Sequence, residues 1–253
     1  MNEVTFRLRL CFQKRDRARF LSHLEVVRAM ERMVRRAQLP YAVSHGFNTH
    51  MRQAPGPALP VGTTGLAELY DVWLTTYLKP AEALTRLQKA SAQGLEVLSV
   101  TYVSPKAKGL QATHPCEEYE VVLTDCTLDA PALSARLATL IAGGTLTTRR
   151  KNKEKVYNLK QAIMRQPEVQ EAQEAQRGSG PDASDEPQRE GGSHPVQEVQ
   201  KGSGLNTLIV HLNLRSTEQG SIRPEVLLQA ACGEDVEFTV WSVTRTALRE
   251  DTR

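Results

Sequence analysis

The chain has 253 residues, 40% of them hydrophobic and only 5% aromatic, with a formal net charge of +3. That length can bury a sizeable, mostly aliphatic core, and no apolar run reaches the roughly 18 residues that cross a bilayer. Met1 to Arg9 alternates charged and apolar residues and has no hydrophobic signal region, so a cytoplasmic protein without a signal peptide is expected.

The first element is a half-buried strand, Val4 to Phe12, whose apolar and charged residues alternate. A basic turn, QKRDRAR, leads into FLSHLEVVRAMERMVRRAQLP. Phe20, Leu24, Val27, Met30, Val34 and Ala37 follow helical spacing there, and Pro40 ends the helix. Ser22 and Glu25 have the S-x-x-E spacing of a capping box, each side chain reaching the other's backbone amide. YAVSHGFNTH reads as a short strand entering a loop, and MRQAPGPALPVGTTG as a long Pro/Gly-rich excursion. LAELYDVWLT is a strand, a helix starts near Pro80 with Leu84 and Leu87 and stops at Gly94, and LEVLSVTYV is a strand. The order is βαββαβ.

A second βαββαβ follows. EYEVVLT is a strand, and Asp129 to Ile141 a helix with Leu133, Leu137, Leu140 and Ile141 on one face. TLTTRRKNKEKVYNL is a basic strand or hairpin arm, NTLIVHLNLRS a strand, Pro224 to Ala231 a helix and VEFTVWSVTRTAL a strand. Residues 166–204 interrupt this unit. They are poor in aliphatic and aromatic residues and rich in Gln, Glu, Gly and Ser, a composition that buries too little surface to offset ordering entropy. The expected fold is α+β: two tandem ferredoxin-like βαββαβ units, at 1–105 and at 106–165 with 205–253, and a disordered acidic insertion at 166–204.

Charge is strongly segregated. Residues 1–60 hold eleven Lys/Arg against four Asp/Glu, residues 145–165 seven against one, and residues 166–200 two against eight. Two basic zones point to an anionic partner such as RNA, although charged helix faces are also simply well solvated. Arg28, Arg32, Arg35 and Arg36 lie opposite the apolar stripe of the first helix, and Arg149, Arg150, Lys151, Lys153 and Lys155 form the second group. Tyr41, Phe47 and Tyr157 are the aromatics near them, and no RNP-type motif for base stacking occurs.

Cys11, Cys116, Cys126 and Cys232 are widely spaced, without a CxxC, so no zinc or iron–sulfur site of the chain's own is expected. His114 and Cys116 lack a second ligand pair. The densest reactive set is Ser22, His23, Ser44, His45, Asn48 and His50. If the first helix start and the SHGFNTH turn meet at one sheet edge, Arg19, His23, His45, Asn48, His50 and Arg52 would form an anion- or RNA-binding site. A purely structural turn is the competing reading. Gly46 and Gly62 read as backbone positions needing positive φ.

The stretch RFLSHLEVVRAMERMVRRAQLPYAVSHGFNTH, followed by ALPVG and LYDVWL, resembles the start of the radical-SAM-linked family of unknown function, the DUF2344 domain. That family has an R-[FY]-L-S-H-L-[DE] helix start, a Y-S-x-G-F-N-P-H turn and a P-L-P-V-G segment. They match Arg19 to Glu25, Ser44 to His50 and Leu59 to Gly62; Thr49 stands in place of the proline, and MRQAPG replaces an apolar run. The resemblance implies a bacterial, non-catalytic accessory domain for a B12-type radical SAM protein encoded nearby. It would present an RNA or phosphorylated substrate, with cluster, SAM and cobalamin all in the partner. An RNA-binding module, or a metal-independent RNA-processing enzyme using His23, His45 or His50, is the alternative. At the level of fold alone, paired ferredoxin-like units with basic arms also resemble CRISPR RNA-processing endonucleases.

Overall fold

A computed structural model describes residues 5–45, 47–150, 153–172, 205–217 and 220–251. The fold is α+β, one large mixed sheet with six helices among the described residues. In strand β1, Phe6–Lys14, Leu8, Leu10 and Phe12 face the core while Arg7, Arg9 and Cys11 face the other way, as a period of two requires. A 3-10 turn, Asp16–Phe20, then leads to helix α1, His23–Arg36. The capping box is present: the Ser22 hydroxyl accepts from the Glu25 amide and Glu25 accepts from the Ser22 amide. The buried stripe of α1 is Val26, Met30, Met33, Val34, and Ala37 just beyond it. Phe20 and Leu24, assigned above to that stripe, are 58% and 66% exposed. They lie in the 3-10 turn and at the very start of α1, ahead of the buried stripe, which begins at Val26.

Strands β2, Gln53–Pro55, and β3, Thr64–Leu74, flank the Pro/Gly-rich excursion. Helix α2, Pro80–Ala90, and strand β4, Val97–Val103, complete the first half. A short helix α3, Leu110–Thr113, leads to β5, Cys116–Cys126, and then α4, Ala130–Ala142, with Asp129 as its N-cap. Strands β6, Thr145–Arg150, and β7, Lys153–Asn158, pair only with each other. Short α5, Leu159–Ala162, precedes β8, Glu168–Glu171; β9, Asn206–Arg215, α6, Pro224–Cys232, and β10, Thr239–Arg249, follow.

The main sheet runs β4-β1-β3-β10-β5-β9-β8, with β2 also paired to β3. Each half thus has the same order, β4-β1-β3-β2 and β10-β5-β9-β8, and all pairs within a half are antiparallel. The halves join into one sheet rather than two, through a parallel contact of β3 with β10 at Thr64↔Thr244 and Gly65↔Arg245. Each half keeps its own hydrophobic cluster under its helices.

One boundary needs correction. Glu168–Glu171, placed above in a disordered insertion, is an edge strand paired with β9 from Glu168↔His211 to Glu171↔Leu208. Its sequence, EVQE, carries a single apolar residue, Val169, which packs on the second cluster opposite Val210. Edge strands keep polar and charged residues outward, so composition conceals them. The basic segment read as a strand or hairpin arm forms the hairpin, the separate β6–β7 arm. Residues 173–204 of the expected insertion lie outside the described residues. Val169→Asp should cost about 1–3 kcal/mol of stability in urea unfolding, because the carboxylate would be half-buried without a partner; an unchanged midpoint would show that β8 does not contribute.

Candidate functional site

The excursion between β2 and β3 crosses the junction of the halves as a strap, residues 56–62. Its ends are tied by backbone bonds: the Gly56 amide donates to Leu69 O at 2.9 Å and the Gly62 amide to Arg19 O at 2.9 Å. Gly62 has φ +89°, the conformation expected from sequence, and a Cβ on Gly56 would come 2.7 Å from the Leu69 carbonyl. Gly46, the other such position, lies outside the described residues.

Under the strap lies a buried ion network. Arg245 of β10, fully buried, donates through Nε to Glu68 Oε1 at 2.9 Å and through Nη2 to Glu68 Oε2. Nη1 donates to Glu117 Oε2 at 3.2 Å, and Nη2 to the strap carbonyl of Pro57 at 2.8 Å; Ala58 O is 3.5 Å from Nη1. All five guanidinium N–H directions are occupied, which such a buried cation requires. Burial alone would lower the pKa of Arg245, but Glu68, Tyr119 and Glu117 more than reverse this, so its charge is held firmly. Glu117 also accepts from the Tyr119 hydroxyl at 2.5 Å and the Ser221 hydroxyl at 2.6 Å. Burial next to that carboxylate pushes the Tyr119 phenol up, so it remains a donor.

Two hollows flank the strap, and Leu59 lines both. One is a cavity of about 30 Å³ walled by Phe12, His23, Val26, Tyr70, Glu68 and the ammonium-bearing side chain of Lys14. Lys14 is 2% exposed and its Nζ has no hydrogen-bond partner. Burial, opposed by Glu68 and aided by Arg245, lowers its pKa. The other is a groove of about 330 Å³ between strap residues 58–61 and the Ser221–Arg223 segment, floored by Glu117 and Tyr119.

The residues proposed from sequence do not form one cluster. His23, at the start of α1, faces the small cavity. His45, Asn48 and His50 are exposed in a turn that closes on itself, the His50 amide donating to Ser44 Oγ at 3.0 Å and the Ser44 amide to His50 O at 2.8 Å. That turn supplies no wall of the cavity. The Arg19 guanidinium stacks on Phe20 at 4.7 Å, and exposed Arg52 stacks on Trp73 at 4.9 Å, opposite Arg7 at 4.7 Å. Arg149 is exposed near the tip of the β6–β7 arm, across from Glu154. Arg150 and Lys153 pair through their backbones there, and Lys151 lies outside the described residues.

Sequence reasoning missed Lys14, Glu68, Glu117, Ser221 and Arg245. A charged residue in the apolar register of a strand was the available signal: Lys14 continues the Leu8–Leu10–Phe12 face. A second buried network, with Asp71 accepting from Arg7 Nε at 2.8 Å and Arg9 Nε at 2.9 Å, lies on the other sheet face. Among the described residues no three His, Cys, Asp or Glu side chains gather as a metal site, and Cys11, Cys126 and Cys232 are free thiols. No described helix is long and apolar enough to cross a membrane.

The fold and site define a mixed-sheet protein whose halves are joined by a buried ion network beneath a proline-rich strap, with a basic two-stranded arm on one side. The chain belongs to the DUF2344 family, described as uncharacterized protein conserved in bacteria, whose family model matches residues 7–184. Among curated proteins none matches. Among solved structures it is similar to the crystal structure of an unknown protein from Galdieria sulphuraria, at 10% identity and a TM-score of 0.26, over 98% of this chain and 100% of that one.

Two outcomes test this description. Arg245→Met would strand Glu68 and Glu117 without their shared cation and should cost about 3–5 kcal/mol in denaturant unfolding; a loss within experimental scatter would mean that the network does not hold the junction. Burial, with Arg245 and Lys14 nearby, holds the His23 imidazole below its ordinary 6.5. Burial and Arg9 do the same for His114. Both lowered values mean that the unfolded chain binds protons more readily, so this stability is complete above about pH 6.5 and is lost as pH falls through the folded values. His23→Gln combined with His114→Gln should flatten the drop in urea midpoint between about pH 7 and about pH 5. An equally steep drop in the double variant would assign the acid sensitivity to other groups.

Proposed function

We propose that this protein is an RNA-binding accessory factor, without chemistry of its own, that presents RNA to a B12-type radical SAM protein encoded nearby. The observation that carries the reading is the β6–β7 arm. It forms a two-stranded sheet apart from the main sheet, rooted by buried Leu146 and Tyr157. Residues 149–155 of the arm contain five Lys/Arg and one Glu. A two-stranded ribbon suits a nucleic-acid groove, and cations along it neutralise phosphates and release counterions. Exposed Arg28, Arg32, Arg35 and Arg36 on α1 add a second basic surface, although Arg35 is paired with Glu31 at 2.6 Å and Arg36 donates to Ala90 O at 2.7 Å.

The non-catalytic part of the reading is supported by the cavity beside His23. At about 30 Å³ it has room for a water or two and not for a ribose phosphate. Likewise, His45 and His50 stand in an exposed turn away from it. The radical SAM partner rests on the sequence resemblance, and its cluster, SAM and cobalamin would be bound there. The shared strand order of the halves supports two fused ferredoxin-like units as the scaffold. The free thiols of Cys11, Cys126 and Cys232 suit a cytoplasmic setting.

Fluorescence anisotropy with a labelled single-stranded RNA across a salt series tests the reading. Arg149→Ala with Lys155→Ala should weaken binding and make the plot of log affinity against log salt shallower by about 1.4, two phosphate contacts at about 0.7 each. RNA binding that is absent, or indifferent to both substitutions and salt, would rule out the arm as the RNA-binding element.

A further inference from the structure

We propose that the groove between the strap and the Ser221–Arg223 segment binds one nucleotide with a guanine base. This deepens the RNA-binding reading above and rests on it. The groove holds about 330 Å³, the lower end of the roughly 300–1,000 Å³ typical of small-molecule sites, a scale suited to a single nucleotide.

Its floor reads base edges. Glu117 is 2% exposed and lines the groove. Its Oε2 is engaged twice, by Tyr119 and Arg245, while among the described residues Oε1 accepts from the Ser221 hydroxyl alone. A carboxylate oxygen has two lone pairs, so Oε1 keeps one free. Ser221 spends its only proton on Glu117, so its Oγ is left as an acceptor. Two adjacent acceptors therefore meet the groove. Guanine presents two adjacent donors, N1–H and the exocyclic amino group, on its Watson–Crick edge. Uracil presents one donor between two carbonyls, which a carboxylate repels. Pro60 and the exposed Val61 of the strap offer apolar surface to the face of a base.

Its rim suits phosphate. Arg223 is exposed and lines the groove, and among the described residues no carboxylate pairs with it. Lys155 of the arm comes close to Gly220, the residue before Ser221, its ammonium 3.5 Å from where a Cβ on Gly220 would stand. The groove thus opens beside the basic arm, and RNA tracking the arm would pass its mouth with one base free to turn in.

Calorimetric titration of the full chain with the four ribonucleoside 5′-monophosphates tests the proposal. Guanosine monophosphate should bind saturably and at least about tenfold more tightly than uridine monophosphate, the discrimination one good two-point base contact provides. Arg223→Glu, at an exposed position, should weaken guanosine monophosphate about tenfold yet leave the nucleoside guanosine unaffected. Ser221→Ala, which removes one of the two acceptors, should reduce the preference for guanine over uracil, with thermal melts confirming the fold. No saturable binding at millimolar nucleotide, or equal binding of all four, overturns the groove. If RNA binds through the arm while no mononucleotide does, the groove assignment fails and the RNA-binding function stands. If guanosine monophosphate binds while RNA does not, the groove stands and the RNA reading fails.

Discussion

Arg245 holds together what the sheet alone joins weakly. The two halves share only a two-residue parallel register between β3 and β10, far shorter than the antiparallel ladders inside either half. The guanidinium spans that seam. It binds Glu68 on β3, Glu117 on β5 and the strap carbonyls from one buried position. The register makes room for it: Gly65 faces Arg245 across the seam, and a Cβ there would come 2.7 Å from the Glu68 side chain. Burying these charges costs much desolvation, and only the complete set of partners offsets it. The same network therefore fixes the relative position of the halves, the path of the strap and the floor of the groove.

The strap turns that junction into a site. Its Pro and Gly residues remove conformational freedom and allow close approach, so a loop with little secondary structure of its own follows one path. Leu59 separates a small, mostly apolar-walled cavity from a larger groove. The cavity side leaves the Lys14 ammonium without a hydrogen-bond partner, a costly feature that one or two waters within about 30 Å³ would relieve. The groove side is differently equipped, with acceptors on the floor and cations at the rim. Lys155 of the arm stands near Gly220, the residue before Ser221 of the groove. In the proposed RNA reading, exposed cations would supply an attraction that salt screens, and the buried groups of the groove floor would supply selection.

Much of the fold could be read from sequence, because local rules governed it. The capping box at Ser22 and Glu25, the alternation in β1, and the apolar face of α4 are nearest-neighbour chemistry, and they formed as read. The basic arm was visible as a charge run. The family too was legible, from the helix start at Arg19 to Glu25 and the segment at Leu59 to Gly62. What tertiary structure alone decided was long-range. β8 has one apolar residue and becomes a strand only because β9 offers an open edge. Glu68 and Arg245 stand 177 residues apart, and no local pattern pairs them. The histidines His23, His45 and His50 looked like one cluster because they are close in sequence, yet His23 turns to the cavity while the other two remain on an exposed turn. Sequence by itself determined the elements and their charge, since backbone propensity and periodicity act over a few residues; the site was decided by the fold, since a buried charge finds its partner wherever the chain brings one within reach.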